Sequence, residues 1–354
     1  MKIDRDRLIN GNLAELFKKA PRFAISDTSK YIIFSDLHLG NGSKRKDDFL
    51  RNSKMFLNAL EEYYFPKGFF LILNGDVEEL QKFRAHTIAN MWKKFYEIAD
   101  KFNRDNRLLK IIGNHEIDIS FLPKTQINKS IEQAAVLLYN DRPLFVFHGH
   151  QAAQFFSKYS RFISFFLRFF AAPLGIKNRT ASHDSKRKYQ VERRAYFFSS
   201  ENKIVSILGH THRPLFESFS RFDSLRYGIE QLLREYPKAG ELEKISIQNK
   251  IHEFRKELEI MSIKDKDFTN SYYHEYLIYP CLFNSGCVIG KRGMTGIEII
   301  GNEISLVHWY DIERKKKSWK EIESALILSE RYHKRILKSD NLEYIFNRIN
   351  LLAD

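Results

Sequence analysis

The chain has 354 residues, 43% hydrophobic and 29% charged, the composition of a globular protein long enough to bury a core without staples. Lys and Arg number 58 against 44 Asp and Glu, so the net charge is +14 and the expected partners are anionic, although a genomic bias toward lysine would leave the same imprint. Two cysteines, Cys281 and Cys287, exclude a disulfide scaffold and predict a reducing compartment.

The first residues, MKIDRDRLINGNLAELFKK, are charged throughout and do not read as a signal peptide. No run approaches the roughly 18 apolar residues of a spanning helix. The expectation is a cytoplasmic protein, able to lie on a membrane as a peripheral partner. Residues 1–28 read as a short helix and a lead-in. Residues 31–35 (YIIFS) read as a buried strand that ends at Asp36. Residues 53–64 have helical periodicity. A second buried strand at 69–73 (FFLIL) leads into Asn74-Gly75-Asp76, and 89–102 is helical again. A third strand at 108–112 leads into Gly113-Asn114-His115-Glu116. A fourth at 144–147 leads into His148-Gly149-His150, and a fifth at 204–208 into Gly209-His210-Thr211-His212. Strand-like pieces follow at 276–283, 286–289, 296–300 and 304–309, and a helix from about residue 318 is expected to close the chain. Strand, polar cluster and helix in repetition predict an α/β layered fold with its site at the carboxyl ends of strands.

The five strand ends deliver one chemical type. Asp36, His38, Asp76, Asn114, His115, His148, His210 and His212 are all side chains that ligate borderline divalent metals. In an extended turn, Asp-x-His and His-x-His each place two side chains on one side. Asp76 has two oxygens and can bridge two ions. Any one of these motifs alone is weak, since GD and GN are usually only turns and a lone His after a strand is usually structural. Five together, in a workable order, point to a metal centre.

On these residues the chain resembles the calcineurin-like metallophosphoesterase superfamily, whose pattern is DxH, GD, GNH(D/E), H and GHxH. The resemblance covers residues 31–214 and the later LFNSG at 282–286. It implies a layered β-sandwich flanked by helices, in one domain spanning 1–354. It also implies two divalent ions, with Mn2+ the first expectation and Fe or Zn as alternatives. One ion would be held by Asp36, His38, Asp76 and His212, the other by Asp76, Asn114, His148 and His210. His115 corresponds to the family's catalytic histidine, which gives the leaving alkoxide its proton while a metal-bridging water attacks in line. Its imidazole needs an orienting carboxylate, and Glu79 is preferred over Glu116 because protein phosphatases have Asp at the matching place.

The segments SDLHLGNG and GHTHRP are more similar to the UDP-diacylglucosamine pyrophosphatase branch than to protein phosphatases. The chain departs from that branch at His150, where Asp is typical, and at His115, where Arg is frequent.

Two stretches interrupt the strand–helix pattern: an aromatic and basic lid segment at 151–200, and a helical insertion at 216–273. Within 151–172, Phe155, Tyr159, Phe162, Ile163, Phe166, Phe169 and Phe170 share one helical arc, with Lys158, Arg161 and Arg168 opposite. Such a helix packs on the protein's own core, lies on a membrane or acyl chain, or makes a dimer contact. Lys44, Arg45 and Lys46 follow the first metal motif and are candidates to bind substrate phosphate. The expected function is a two-metal hydrolase of phosphate esters or anhydrides, on a lipid-linked or nucleotide substrate. The alternatives are a protein-phosphatase-like phosphomonoesterase and, from another class, a non-catalytic metal-bound scaffold. Charge alone also admits a nuclease, but no nucleic-acid-binding partner domain is recognisable.

Overall fold

The computed structural model describes residues 2–116, 125–128, 131–153, 185–216, 225, 229, 232–233, 236–264, 280–314, 326–327 and 331–352. They fall into two compact units, Met1–Phe216 with Cys281–Asp354, and Glu217–Pro280.

In the first unit the chain opens with helix α1 (Lys2–Lys19) and strands β1 (Arg22–Ile25) and β2 (Lys30–Phe34). Helix α2 (Ser53–Asn58) runs on through a π-helical turn (Ala59–Tyr64) and is followed by β3 (Phe70–Asn74). The helical stretch expected at 89–102 is two helices, α3 (Ala85–Met91) and α4 (Lys93–Arg104). They part at Trp92, whose indole is pulled inward to donate to the Gly40 carbonyl (3.1 Å) and the Asp47 carboxylate (3.2 Å). Then come β4 (Leu108–Ile111), β5 (Ile131–Glu132), β6 (Ala134–Tyr139) and β7 (Arg142–Phe147), a short 3-10 turn at His150–Ala152, helix α5 (Ser185–Glu201) and β8 (Val205–Leu208).

The second unit contributes α6 (Glu241–Lys264), preceded by a 3-10 turn at Tyr236–Lys238. Gln248 Nε2 donates to Tyr236 Oη at 2.8 Å, tying that turn to the helix. The first insertion helix expected from the sequence lies mostly outside the described residues. The aromatic arc of 151–172 likewise lies outside them from residue 154 onward.

Back in the first unit are β9 (Leu282–Asn284), β10 (Met294–Ile300), β11 (Glu303–Asp311), β12 (Leu326–Ile327), β13 (Tyr332–Asn341) and α7 (Leu342–Leu352). The strands form two sheets, one of five strands in the order β1-β6-β7-β8-β9 and one of eight in the order β12-β13-β11-β10-β2-β3-β4-β5, so the chain is mixed α/β. Strands β2 to β5 pair in parallel, and the half from β10 to β13 is antiparallel. Among the described residues, no helix is long and apolar enough to cross a membrane.

Side-chain alternation explains the layering. Ile32 and Phe34 of β2 and Leu71 and Leu73 of β3 enter a cluster built with α2 and α4, which contribute Phe56, Phe95, Ile98 and Phe102 at helical spacing. Ile33 and Ile72, one residue out of phase, are also fully buried and face the other way. In the five-stranded sheet, Val136, Phe145 and Phe147 pack with Leu13 of α1 and Val191, Ala195 and Phe198 of α5. The two sheets touch directly. Asn74 Nδ2 donates to the Phe147 carbonyl (3.1 Å), Ser35 and Ser285 share a hydrogen bond (2.8 Å), and the Phe23 and Phe70 rings meet at 5.7 Å.

The structure corrects two expectations near the carboxyl end. Residues 286–289 are not a strand. Gly286 has φ +77°, its amide is captured by Asn284 Oδ1 (2.9 Å), and Cys287 N donates to a side chain, Thr295 Oγ1 (3.3 Å). This segment carries the chain from one sheet to the other, so no ladder is open to it. The closing helix is not continuous from 318. Residues 315–325 lie outside the described residues, and 332–341 are strand β13, paired along its length with β11. The sequence YHKRILKSDN is too charged to read as a strand. It becomes one because Lys334 is drawn inward, donating to both oxygens of Glu298 (2.8 and 2.9 Å) and to Tyr63 Oη (2.9 Å). Strands β1, β5 and β6 also went unread in the sequence. β1 and β5 are short, and β6 (AAVLLY) does not alternate.

Candidate metal centre

Each motif sits where a strand of the buried layers runs out. Residues 35–38 follow β2, 75–79 follow β3, 113–116 follow β4, 148–150 follow β7 and 209–212 follow β8. Backbone hydrogen bonds hold the first two loops together, from Asp36 N to Gly75 O (3.0 Å) and from His38 N to Asp76 O (2.9 Å). The approach is close enough to dictate glycine. A Cβ on Gly113 would lie 2.1 Å from Asp76 N and Oδ1, and one on Gly75, at φ +82°, 2.4 Å from His148 Nδ1.

Asp36, His38, Asp76, His210 and His212 all adopt left-handed backbone, with φ between 49° and 65°. For non-glycine residues this conformation is strained, and it persists where surrounding structure imposes it, typically at functional sites.

Each aspartate spends one oxygen on a backbone amide and keeps the other inside. Asp36 Oδ2 accepts from His210 N (2.9 Å), and Asp76 Oδ1 accepts from His115 N (2.9 Å). The second oxygens face imidazoles. Asp36 Oδ1 is 3.0 Å from His212 Nε2, 3.9 Å from His38 Nε2 and 4.0 Å from His148 Nε2. Asp76 Oδ2 is 3.3 Å from His148 Nε2, 3.7 Å from His115 Nε2 and 3.9 Å from His38 Nε2.

Three sets of ligand atoms converge within 4.8 Å: Asp36–His38–His212, His38–Asp76–His115 and Asp76–His148–His210. Among the described residues, Asn114 Oδ1, His148 Nε2 and His210 Nε2 are buried without a hydrogen-bond partner, and Asp36 Oδ1 has none in bonding direction. Orphaned ligand atoms in this number need an explanation, and a cation supplies one. The opposite ring nitrogens agree. His148 Nδ1 donates to the Asn74 carbonyl (2.8 Å) and His38 Nδ1 to Glu79 Oε2 (3.2 Å), which leaves each Nε2 as the ligating atom. The donor set therefore fits a metal ion, which these buried His/Asp groups could hold.

Glu79 also takes the other histidine. Its Oε1 accepts from His115 Nδ1 at 2.7 Å, so one carboxylate spans His38 and His115. Glu116, the rival for that task, is engaged elsewhere. It accepts from the amides of Val77 (2.6 Å), Glu78 (2.8 Å) and Gly113 (3.0 Å), clamping the β3 and β4 loops from behind. Lys110, buried on β4, pairs with Glu78 (2.5 Å) and also donates to Asn128 Oδ1 (2.6 Å).

The electrostatics follow the packing. Burial would lower the His115 pKa, but Asp76 and Glu79 outweigh it and raise it to about 9. His148 rises to about 9 against the same burial, through Asp76 and Asp36. His210 falls to about 3 through burial and the neighbouring His148 cation. Burial also opposes charge on Asp36, Asp76 and Glu79, yet the surrounding imidazoles hold all three below the usual carboxylate range.

Lys44, Arg45 and Lys46 are not gathered into this cluster. They occupy an exposed turn anchored by Asp47, which accepts from Gly42 N (2.7 Å) and Phe49 N (3.1 Å). No hydrogen bond or ion pair among the described residues joins the three cations to the centre. Sequence reasoning missed Asn74 as the acceptor behind His148, although it stands in the motif NGD, and Asn284, although it stands in LFNSG, and it missed Glu192, which no local signal marks. No family model matches the chain, and no curated protein matches it.

Proposed function

We propose that the chain is a metal-dependent phosphoesterase, hydrolysing phosphate esters or anhydrides. The observation that carries this reading is the inward ring in which Asp36 Oδ1 and Asp76 Oδ2 face the Nε2 atoms of His38, His115, His148 and His212. We read the two sheets as the layered sandwich of the calcineurin-like superfamily. Asp36, His38, Asp76 and His212 would hold one divalent ion, and Asp76, Asn114, His148 and His210 the other, with Mn2+ the first expectation. When bound, the ions supply Lewis-acid activation of a phosphoryl group and of water.

The chain supplies the rest. His115 is held by Glu79 through Nδ1, which leaves Nε2 to carry the proton that a departing alkoxide requires. Glu79, beside Nδ1, favours the protonated ring. Glu79 fixes the tautomer and stabilises the imidazolium. The net charge of +14 favours approach of a phosphorylated substrate.

The test is metal content with turnover. After Mn2+ loading, elemental analysis is expected to find about two ions per chain. Hydrolysis of p-nitrophenyl phosphate or bis-p-nitrophenyl phosphate should be lost with EDTA and restored by Mn2+. Mn2+ at about 100 times its Kd should add about 2.7 kcal/mol of stability for each site filled. A chain that binds no metal overturns the reading. One that binds metal and hydrolyses neither ester favours the non-catalytic scaffold.

A further inference from the structure

The turn after β8, residues 209–214 (GHTHRP), holds His210 and His212 in left-handed backbone, and something must keep it there. The side chain between the two histidines points away from them. Thr211 is fully buried, and its hydroxyl donates to Glu192 Oε1 (2.8 Å) while accepting from Asn284 Nδ2 (2.9 Å). The same amide donates to the Gly209 carbonyl (3.0 Å). Arg213 donates from Nε to Glu192 Oε1 (3.2 Å) and from Nη2 to Oε2.

Glu192 is fully buried on α5, far in sequence from the motif it holds. A buried carboxylate is costly unless paired and hydrogen-bonded, and among the described residues Glu192 accepts side-chain hydrogen bonds from Thr211 and Arg213, both in this turn. Thr211 lies between the two histidines in the chain, so fixing its side chain restrains the backbone on both sides. His212 belongs with Asp36 and His38, and His210 with Asp76 and His148. One carboxylate thus reaches a ligand in each group.

We propose that Glu192 is a positioning residue of the metal centre, setting through Thr211 and Arg213 where both His210 and His212 present their ligand nitrogens. The proposal rests on the metal-centre reading above.

The test uses the full chain and reads metal binding rather than turnover. Thr211→Val removes the hydroxyl at nearly constant volume, and Thr211→Ser keeps it. Arg213→Met removes the cation that pairs with the buried Glu192 and is expected to cost stability, but Thr211 still donates to that carboxylate and Arg213 is 36% exposed, so the variant is read below its own melting temperature. Mn2+ affinity is measured by calorimetry, geometry by the visible spectrum of the Co2+ form, and folding by the melting of the metal-free protein. Thr211→Val is expected to weaken Mn2+ binding by roughly 10–100-fold and to alter the Co2+ spectrum at saturation. Thr211→Ser should retain both, and Arg213→Met should shift both in the direction of Thr211→Val, but less.

Wild-type affinity and spectrum in Thr211→Val overturn the proposal. Should Thr211→Val not fold, the same result in Arg213→Met overturns it. A wild-type protein that binds neither ion takes down the metal-centre reading and the proposal with it, which is distinct from a wild type that binds beside unaltered variants.

Discussion

Two of the places where the molecule buries charge treat it differently. Under the antiparallel half of the larger sheet, Lys334 meets both oxygens of Glu298, Tyr64 Oη donates to the same carboxylate (2.7 Å), and Trp309 Nε1 donates in turn to Tyr64 (2.9 Å). Every step of that chain is answered. At the carboxyl ends of β2, β4, β7 and β8 the reverse holds: among the described residues, candidate ligand atoms of Asp36, Asn114, His148 and His210 are buried without a hydrogen-bond partner, and the backbone at two of them, Asp36 and His210, is strained. A satisfied network is the mark of structure. One left open at this density, among His and Asp side chains, could hold a metal ion. The two regions should therefore respond oppositely to substitution, one in stability and the other in metal binding and chemistry.

The largest expected effect is at the open region. His115→Ala should keep its Mn2+ content and lose roughly 10²–10⁴-fold in phosphoester turnover, the usual worth of a general acid. Elemental analysis beside kinetics checks it. If the metal leaves together with the activity, His115 is a ligand and its assigned role falls.

At the closed region the currency is folding. Lys334→Met strands Glu298 in the core and should cost about 3–5 kcal/mol in urea denaturation, with Mn2+ affinity unchanged. A Lys334→Met, Glu298→Leu double variant should recover much of that loss. A cost below about 1 kcal/mol would mean that the pair behaves like a surface ion pair and that the contrast is overdrawn.

The smallest effect sharpens the contrast through pH. His308 on β11 is held neutral by two bonds: its Nε2 donates to the Arg292 carbonyl (3.1 Å), and its Nδ1 accepts from Arg335 Nε (3.1 Å). Burial and the Arg335 cation lower its pKa from 6.5 to about 4. Between those values the unfolded chain binds the proton that the folded chain refuses. The contribution is therefore complete above pH 6.5 and is lost as pH falls toward 4. The size is on the order of 1–3 kcal/mol. The melting temperature of His308→Gln should fall less steeply than wild type across this range, and parallel curves would refute the assignment.

The local part of this design was legible in the chain. A buried parallel strand must be apolar throughout, and its end must be polar where the backbone turns out of the layer, so YIIFSD and FFLILNGD announce both strand and candidate ligand. The ligand types, their order and the tight glycines could be read because each lies within a few residues of its strand. What could not be read depends on partners distant in sequence. The strand at 332–341 is set by pairing with β11 and by Glu298, against its own charged composition. The choice between Glu79 and Glu116 for His115 depends on which carboxylate the backbone amides of the neighbouring loop claim first. Glu192 reaches Thr211 only because α5 packs beside β8. Chain-local chemistry sets which atoms can act, and the tertiary structure decides which are left unpaired to do so, because a hydrogen-bond partner is a matter of position in space rather than in sequence.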